Sequence, residues 1–208
     1  HRFRPVGLAE PMKSAAPRVV VFAGPNGAGK STHADAILEA LGIRVFVNAD
    51  YIARGLTGLH TDTVAIAAGR IMLRRLDELA DARESFAFES TLSSRSFAPF
   101  LRRLKARGYR IAIYYFSLAN ARLAVQRVKL RVSLGGHDVP ADVVRRRFER
   151  SRANFFTLYA PLAADWALFD NSQGRTAVRV AECSANHLVI HEPLLWKRIR
   201  PASTTPTA

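Results

Sequence analysis

One stretch of the sequence has the residue types and spacing of a phosphate-binding loop. Residues 24–31 read Gly-Pro-Asn-Gly-Ala-Gly-Lys-Ser, which fits the pattern G-x-x-x-x-G-K-[ST]. Glycines in such a loop let backbone N–H groups curve around phosphate oxygens, along a path that side chains would obstruct. The pattern therefore predicts a nucleotide-binding site. We expect contacts from Gly24, Asn26, Gly27, Ala28, Gly29, Lys30, Ser31 and Thr32.

The segments on either side of this loop support the prediction. The apolar run at 18–23 reads as a buried strand, and an apolar stripe at helical spacing follows the loop. The N-terminus of that helix presents partial positive charge to a bound anion. We expect the Lys30 amine to reach the β- and γ-phosphates of ATP and the Ser31 hydroxyl to hold Mg²⁺. The alternative, a glycine-rich surface turn, would not require this strand-loop-helix context.

Acidic residues follow two further predicted strands. Asp50 comes after the strand at 44–47, and Glu89 comes after the strand at 85–88. In a parallel sheet the carboxyl ends of the strands meet at one edge, beside the ligand. A carboxylate there can accept the proton of a hydroxyl that attacks the γ-phosphate. We therefore expect Asp50 to be the base and Glu89 to orient the hydroxyl or a Mg²⁺-bound water. The alternative for each is a helix cap or a turn residue.

Arginines cluster in two predicted helices that a Gly-Gly loop joins. Arg127 and Arg131 lie four residues apart, on one helix face. Arg147 shares a helical stripe with Val144 and Ser151, so it should turn toward protein or ligand. Such a helix pair is typical of a lid that brings positive charge to the transferring phosphoryl group and excludes water. The alternative for any one arginine is a solvated charged face.

Predicted strands and helices alternate along the chain, which indicates an α/β fold of the P-loop NTPase type, with a parallel sheet and helices on both faces. After Asp50 we expect a loop that carries Gly55, Gly58 and His60, and His137 falls in a second loop; neither histidine has metal-ligand spacing. The strands are expected at 18–23, 44–47, 85–88, 109–118 and 165–169, with a further edge strand at 176–183. The helices are expected to end at Leu41 and to cover 61–82, 95–107, 120–132 and a stretch that begins at Pro140.

Length and composition indicate one globular domain with a strongly basic surface. We divide the 208 residues into a tag-like or disordered segment at 1–17, a domain at 18–200 and a disordered tail at 201–208. The 31 lysines and arginines exceed the 17 acidic residues and give a net charge of +14. That charge suits nucleic acid, small anionic substrates or a solvated surface, but no nucleic-acid recognition motif accompanies it. No apolar run is long enough to span a membrane, and a single cysteine excludes an intramolecular disulfide, so we expect a cytosolic protein.

The motifs in combination resemble the zeta toxin kinases, in particular their short bacterial forms. The resemblance extends over residues 18–172. Besides the loop at 24–31, it rests on Asn-Ala-Asp at 48–50, Phe-Glu-Ser-Thr-Leu-Ser at 88–93, Arg-Val-x-Leu-Gly-Gly-His-Asp-Val-Pro at 131–140, Arg-Arg-Phe at 146–148 and Asp-Asn-Ser at 170–172. It implies an ATP- and Mg²⁺-dependent kinase that phosphorylates a sugar hydroxyl of UDP-N-acetylglucosamine or a related UDP-sugar.

The resemblance also implies roles for single residues and a partner. Residues 1–17 are too short to form the small helical antitoxin that is typical of the family, so we expect the antitoxin to be a separate protein or absent. Lys30 and Ser31 match the nucleotide site, Asp50 the base, Glu89 and Thr91 the substrate-binding strand end, Arg131, Arg146 and Arg147 the lid region, and Asn171 a stretch near the nucleotide base. Within the arginine cluster we expect Arg131 and Arg147 to act in catalysis, and Arg127 and Arg146 to bind substrate.

Two other functions fit the same residues. One is another P-loop phosphotransferase, with a nucleotide, a polynucleotide end or an antibiotic hydroxyl as acceptor. The other is a non-catalytic, nucleotide-gated protein that binds nucleic acid, which would bind random DNA or RNA in a salt-dependent manner. The pair of strand-end carboxylates, Asp50 and Glu89, argues against the second.

Overall fold

A single sheet organises the part of the chain that the structure describes. The structure, a computed structural model, covers residues 16–57, 62–136, 138–174 and 176–201. The strands are β1 Arg18–Ala23, β2 Phe46–Val47, β3 Phe86–Ser90, β4 Arg110–Ser117, β5 Asp165–Asp170, β6 Val178–Ser184 and β7 His187–Ile190. Their spatial order is β2-β3-β1-β4-β5-β6-β7. Strands β1 to β5 are parallel, whereas β6 and β7 pair antiparallel.

Helices connect these strands and pack on both faces of the sheet. They are α1 Lys30–Leu41, α2 Ala49–Thr57, α3 Asp62–Asp81, α4 Phe97–Ala106, α5 Ala121–Ser133, α6 Ala141–Asn154 and α7 Pro193–Ile199. Helix α6 continues into a π-helical turn at Phe155–Tyr159 and a 3₁₀ turn at Ala160–Leu162. The expected α/β fold, with a mostly parallel sheet covered on both faces, is confirmed.

The central strand β1 is apolar along its length because both of its faces are buried. Val19 and Val21 pack on one side of the sheet, in the core to which α3 and α4 contribute. Val20 and Phe22 point to the other side, into the core with α1, α5 and α6. A strand buried on both faces needs apolar residues at every position, not at alternate ones. Because β1 lies between β3 and β4, the loop that follows it sits at the middle of the sheet.

The expectation of a loop after Asp50 is wrong. Helix α2 begins at Ala49, so Asp50 lies in its first turn and Gly55 lies inside the helix. The start of this helix is explained by Asn48, whose side-chain oxygen accepts the Asp50 N–H at 2.8 Å, while its carbonyl accepts the Ile52 N–H at 3.1 Å. This is the behaviour of an N-cap residue. Gly58, His60 and His137 lie outside the described residues.

The C-terminal part of the sheet extends beyond the prediction. The strand expected at the sheet edge is β6, but β7 pairs with its outer side and takes the edge position. The two strands are joined at Ala185 and Asn186, which both have positive φ, as a type I′ turn requires. Because neither turn residue is a glycine, the sequence does not signal the turn strongly. Helix α7 follows and was also not expected from the sequence.

The two terminal segments expected to be disordered lie almost entirely outside the described residues. Of the segments expected to be disordered, only residues 16, 17 and 201 are described; Pro17 already joins the fold, since its carbonyl accepts the Arg110 N–H at 2.9 Å. Among the described residues, none of the helices combines the length and the apolar character that crossing a bilayer demands.

Replacement of Leu76 by alanine is expected to lower the free energy of unfolding by about 3 kcal/mol, because it leaves a cavity in the core. Leu76 is fully buried where α3 packs on the sheet. Leu73→Ala is the matched control, since Leu73 is exposed on the same helix and its loss should cost less than about 1 kcal/mol. Urea unfolding followed by circular dichroism measures both. Equal losses would contradict the packing of α3 described above.

Candidate functional site

The loop at 24–31 joins β1 to α1 at the carboxyl edge of the parallel strands. Gly27 and Gly29 have φ angles of 76° and 82°, which residues with a side chain rarely adopt. The Ala28 N–H donates to the Pro25 carbonyl at 3.2 Å and closes a turn. Since α1 begins at Lys30, its N-terminal N–H groups are available to an anion held by the loop. The backbone therefore has the shape that phosphate binding requires.

Glu89 is the centre of a polar cluster at the floor of this site. Ser31 Oγ donates to Glu89 Oε2 at 2.6 Å, and Asn48 Nδ2 donates to the same oxygen at 3.0 Å. Lys30 Nζ lies 3.5 Å from Glu89 Oε1 and donates to the Pro25 carbonyl at 3.1 Å. Lys30 is only 6% exposed, so its ammonium is held in place by these partners. The cluster ties the phosphate-binding loop to the ends of β2 and β3.

Asp50 lies beside this cluster and remains accessible. Its backbone is fixed by the Asn48 cap, while its side chain is 48% exposed. Asp50 Oδ2 is 3.7 Å from Arg131 Nη1 of α5. An ion pair this long and this exposed is weak, so it leaves the carboxylate free to accept a hydrogen bond from a ligand.

A cleft of about 510 Å³ opens above the floor, bounded on one side by α2 and α3 and on the other by residues of α5 and α6. This volume lies in the usual range for small-molecule sites. Eight of the residues expected in the site line it: Asn26, Gly27, Lys30, Asp50, Glu89, Thr91, Arg131 and Arg147. The structure thus brings the expected base, the loop lysine and both arginines expected to be catalytic to one cavity.

The other two arginines expected to bind substrate have different surroundings. Arg127 Nη1 donates to the Gly27 carbonyl at 3.4 Å, and its Nη2 donates to the Ser172 carbonyl at 2.9 Å. Arg146 Nη1 lies 3.7 Å from Asp142 Oδ2 on the exposed side of α6. Arg127 therefore supports the phosphate-binding loop from behind, and Arg146 forms a surface ion pair.

Asn171, expected near the nucleotide base, contacts the phosphate-binding loop directly. Its Nδ2 donates to the Ala28 carbonyl at 2.9 Å. A Cβ on Gly29 would lie 2.3 Å from that nitrogen, so only glycine permits this approach. His33 stacks on Phe116 at 5.1 Å between ring centroids, and its burial lowers the pKa of the imidazole, opposed by a hydrogen bond with Asn171. The ring is therefore neutral at neutral pH. Of the remaining expected contacts, Thr32 is exposed on α1, and Gly24 is buried beside β4.

The last helix of the domain supports the strand end that carries Asn171. Asp170, buried at the end of β5, accepts the Ser172 N–H at 2.7 Å and a hydrogen bond from the Arg198 guanidinium of α7. This pair fixes the turn from which Asn171 reaches the loop. The contacts that support the loop at 24–31 thus extend to α7.

Asn171→Ala is expected to weaken ATP binding about tenfold, because the buried Ala28 carbonyl loses its partner and the loop loses a brace. Gln173→Ala, an exposed position two residues further along, is the control and should bind ATP as the unmodified protein does. Isothermal titration calorimetry with an ATP analogue measures both dissociation constants. An unchanged dissociation constant in Asn171→Ala would mean that the loop keeps its shape without this hydrogen bond.

Thr91 belongs to a short segment that α6 holds in place. The Thr91 carbonyl accepts a hydrogen bond from Ser151 Oγ, and the Leu92 carbonyl accepts one from Asn154 Nδ2 at 2.9 Å. Ser151 Oγ also lies 2.9 Å from the hydroxyl of Tyr115, whose pKa is raised by burial, so that it stays protonated. Because Arg147 lies one turn earlier on α6, the same helix carries an arginine into the cleft and positions the segment that contains Thr91.

Some residues that line the cleft have no role predicted from the sequence. Asn48 is buried and connects Glu89 with the backbone of Asp50; its position directly after a predicted strand was a usable signal. The apolar wall formed by Ile66 and Leu73 was missed because these residues fall outside the buried stripe of α3. In the described parts of the chain no group of three or more histidine, cysteine or acidic side chains is placed to ligate a metal.

Comparison with known proteins gives a consistent result. A family model described as Zeta toxin matches residues 8–177. An uncharacterised protein of Haemophilus influenzae is 27% identical over 131 residues, which cover 63% of this chain and 92% of that protein.

Solved structures resemble the fold closely at low identity. A crystal structure of the AvrRxo1-ORF1:-ORF2 complex with ATP aligns with a TM-score of 0.73 at 17% identity, over 94% of this chain and 67% of that chain. A structure of the PezAT chromosomal toxin–antitoxin system of Streptococcus pneumoniae aligns with a TM-score of 0.60 at 16% identity, over 93% and 82% of the two chains. At such identities the likeness concerns the fold alone.

Proposed function

We propose, since the chain belongs to the zeta toxin family, that it is an ATP-dependent kinase acting on a sugar hydroxyl of UDP-N-acetylglucosamine or a related UDP-sugar. The fold is that of the P-loop kinases, and the family is one of kinase-like phosphotransferases. One observation carries the proposal: Lys30, Asp50 and two arginines from the α5–α6 side line the same cleft. A loop that only bound nucleotide would not need a carboxylate and arginines facing it.

In this proposal the loop and Lys30 hold the triphosphate. The backbone N–H groups of the loop and of the first turn of α1 surround the phosphates, and the buried Lys30 ammonium neutralises their charge. The hydroxyl of Ser31 and the carboxylate of Glu89, 2.6 Å apart, are oxygen donors of the kind that Mg²⁺ prefers. A bound Mg²⁺ would neutralise phosphate charge there, with Ser31 as its protein ligand and Glu89 as the acceptor of a water bound to it.

Asp50 and the arginines serve the transfer itself. Asp50 accepts the proton of the acceptor hydroxyl, the hydroxyl oxygen forms a bond to the γ-phosphorus, and the bond between that phosphorus and the β–γ bridging oxygen breaks to release ADP. Arg131 and Arg147 donate to the γ-phosphoryl oxygens as charge is redistributed. Arg131 already lies beside Asp50, so the base and this cation can face the same reacting group.

A separate antitoxin protein is the partner that we propose for this kinase. The structural neighbours AvrRxo1-ORF1 and PezAT are both described as two-component complexes, the second as a toxin–antitoxin system. A kinase for UDP-sugars would act in the cytosol, where ATP and these precursors are found together.

Incubation of the purified protein with Mg²⁺-ATP and single acceptors tests the proposal. The acceptors are UDP-N-acetylglucosamine, other UDP-sugars, nucleoside monophosphates and an RNA oligonucleotide, and mass spectrometry reports a single added phosphate. Phosphorylation of a UDP-sugar is the expected result, with reactions lacking ATP as the control. Transfer to an acceptor other than a UDP-sugar would support the kinase activity but contradict the proposed substrate. If the protein bound RNA at low salt but transferred no phosphate to any acceptor, the proposal that it is an enzyme would be contradicted.

A further inference from the structure

The α3 wall of the cleft carries a positive charge that phosphoryl transfer does not use. Arg70 lines the cleft next to Ile66, Gly69 and Leu73. Lys30 is paired with Glu89 and Arg131 with Asp50, whereas Arg70 forms no ion pair or hydrogen bond within the part of the chain that the structure describes. An exposed arginine that faces a cavity and has no partner among the described residues is available to a ligand.

The position of α3 assigns Arg70 to the acceptor and not to ATP. The nucleotide side of the cleft is formed by the loop at 24–31, which Arg127 and Asn171 hold in place from outside the cleft. Helix α3 instead follows α2, whose first turn carries Asp50, and the two helices form one wall of the cleft. An acceptor whose hydroxyl reaches Asp50 thus has α3 beside it as a surface for its remaining groups.

We propose that Arg70 is a specificity-determining residue that binds an anionic group, best a phosphate, on the acceptor; this inference rests on the proposed kinase function. The planar guanidinium can form two parallel hydrogen bonds to phosphate oxygens. Ile66, 60% exposed, and Leu73 offer apolar surface beside it for the carbon skeleton of the same molecule. Gly69 leaves the space between them open, since a Cβ there would meet no atom within 4 Å. The wall thus selects an acceptor that is already phosphorylated.

The test compares two arginine variants of α3 with two acceptors. Arg70→Gln is matched with Arg74→Gln, because Arg74 is also exposed but lines a different groove, formed with β2. UDP-N-acetylglucosamine is the charged acceptor and N-acetylglucosamine the neutral one. Arg70→Gln should raise the KM for the charged acceptor about tenfold to a hundredfold, the loss of a charge-assisted hydrogen bond pair. In Arg70→Gln, changes of less than about threefold are expected in the KM for ATP, in kcat and in the low rate with the neutral sugar. The same small changes are expected in Arg74→Gln.

Two further measurements keep the inference separate from the proposed function. Gly69→Leu should raise the KM for the acceptor and leave that for ATP unchanged, and thermal unfolding confirms that each variant is folded. Calorimetric binding of UDP-N-acetylglucosamine to the complex with a non-hydrolysable ATP analogue reports on Arg70 without any transfer. Weaker binding to Arg70→Gln than to Arg74→Gln supports the inference even if the transfer assay fails. Equal binding to the two variants, or none to the unmodified protein, overturns it.

Discussion

Asp50→Asn is expected to reduce phosphoryl transfer by about a thousandfold while the protein folds and binds ATP normally. The reduction is the size that removal of a positioned general base produces. Asparagine keeps the shape of the side chain but cannot take the proton of the acceptor hydroxyl. Folding should be unaffected, because the carboxylate is half exposed and the ion pair that it forms with Arg131 is long.

Single-turnover transfer and ATP calorimetry on the same preparation test this expectation. Asp35→Asn is the matched control, since Asp35 is exposed on α1 and should keep full activity. If Asp50→Asn retained the activity of this control, another group would have to be the base. If it lost ATP binding as well, Asp50 would belong to the nucleotide site.

Gly24→Ala is expected to lower the free energy of unfolding by more than about 3 kcal/mol, or to prevent folding altogether. Gly24 has a φ of 135°, and an ideal Cβ on it would lie 2.1 Å from the backbone carbonyl oxygen of Phe116 in the neighbouring strand β4. A backbone atom of a central strand cannot move aside as a side chain could. Backbone strain and steric overlap therefore add.

Gly42→Ala separates these two contributions. Gly42 also has a positive φ, 65°, at the end of α1, but a Cβ there would meet no atom within 4 Å. Gly42→Ala should therefore lower the free energy of unfolding only through backbone strain, by about 1 kcal/mol. Urea unfolding of both variants gives the difference. A Gly24→Ala protein as stable as Gly42→Ala would show that the backbone at Gly24 does not approach Phe116 of β4 this closely.

Much of the fold follows from local patterns in the sequence. The apolar run of β1, the glycine-rich loop and the stripe of α1 each determine their own structure, and alternation of strands and helices gives the layered architecture. Helix α2 was not predictable in the same way, because Gly55 and Gly58 favour a loop. The Asn48 cap and packing against α3 outweigh that preference. Tertiary contacts decide where local signals are mixed.

The candidate site was also predictable only in part from the sequence. Strand-end reasoning identifies Asp50 and Glu89 as neighbours of the loop, and the structure places both on the cleft. The sequence pattern does not show that Arg127 and Arg131 have different surroundings, because the two arginines share a helix face. Four residues of helix advance by about 6 Å, enough to move one guanidinium from the cleft to the back of the loop. The roles of these arginines in the reaction stay predictions.

The central position of β1 has a consequence for the nascent chain. The loop at 24–31 is synthesised before β3 and β4, so β1 gains its two neighbours only after the chain up to Ser117 has been made. Asn171 and the Arg198 that supports its turn follow later still. Because chains emerge N-terminus first and these contacts span long sequence distances, the surroundings of the loop are completed only after these later strands and helices have been made. A partly synthesised chain therefore carries the complete loop sequence before it carries the residues that hold the loop in shape.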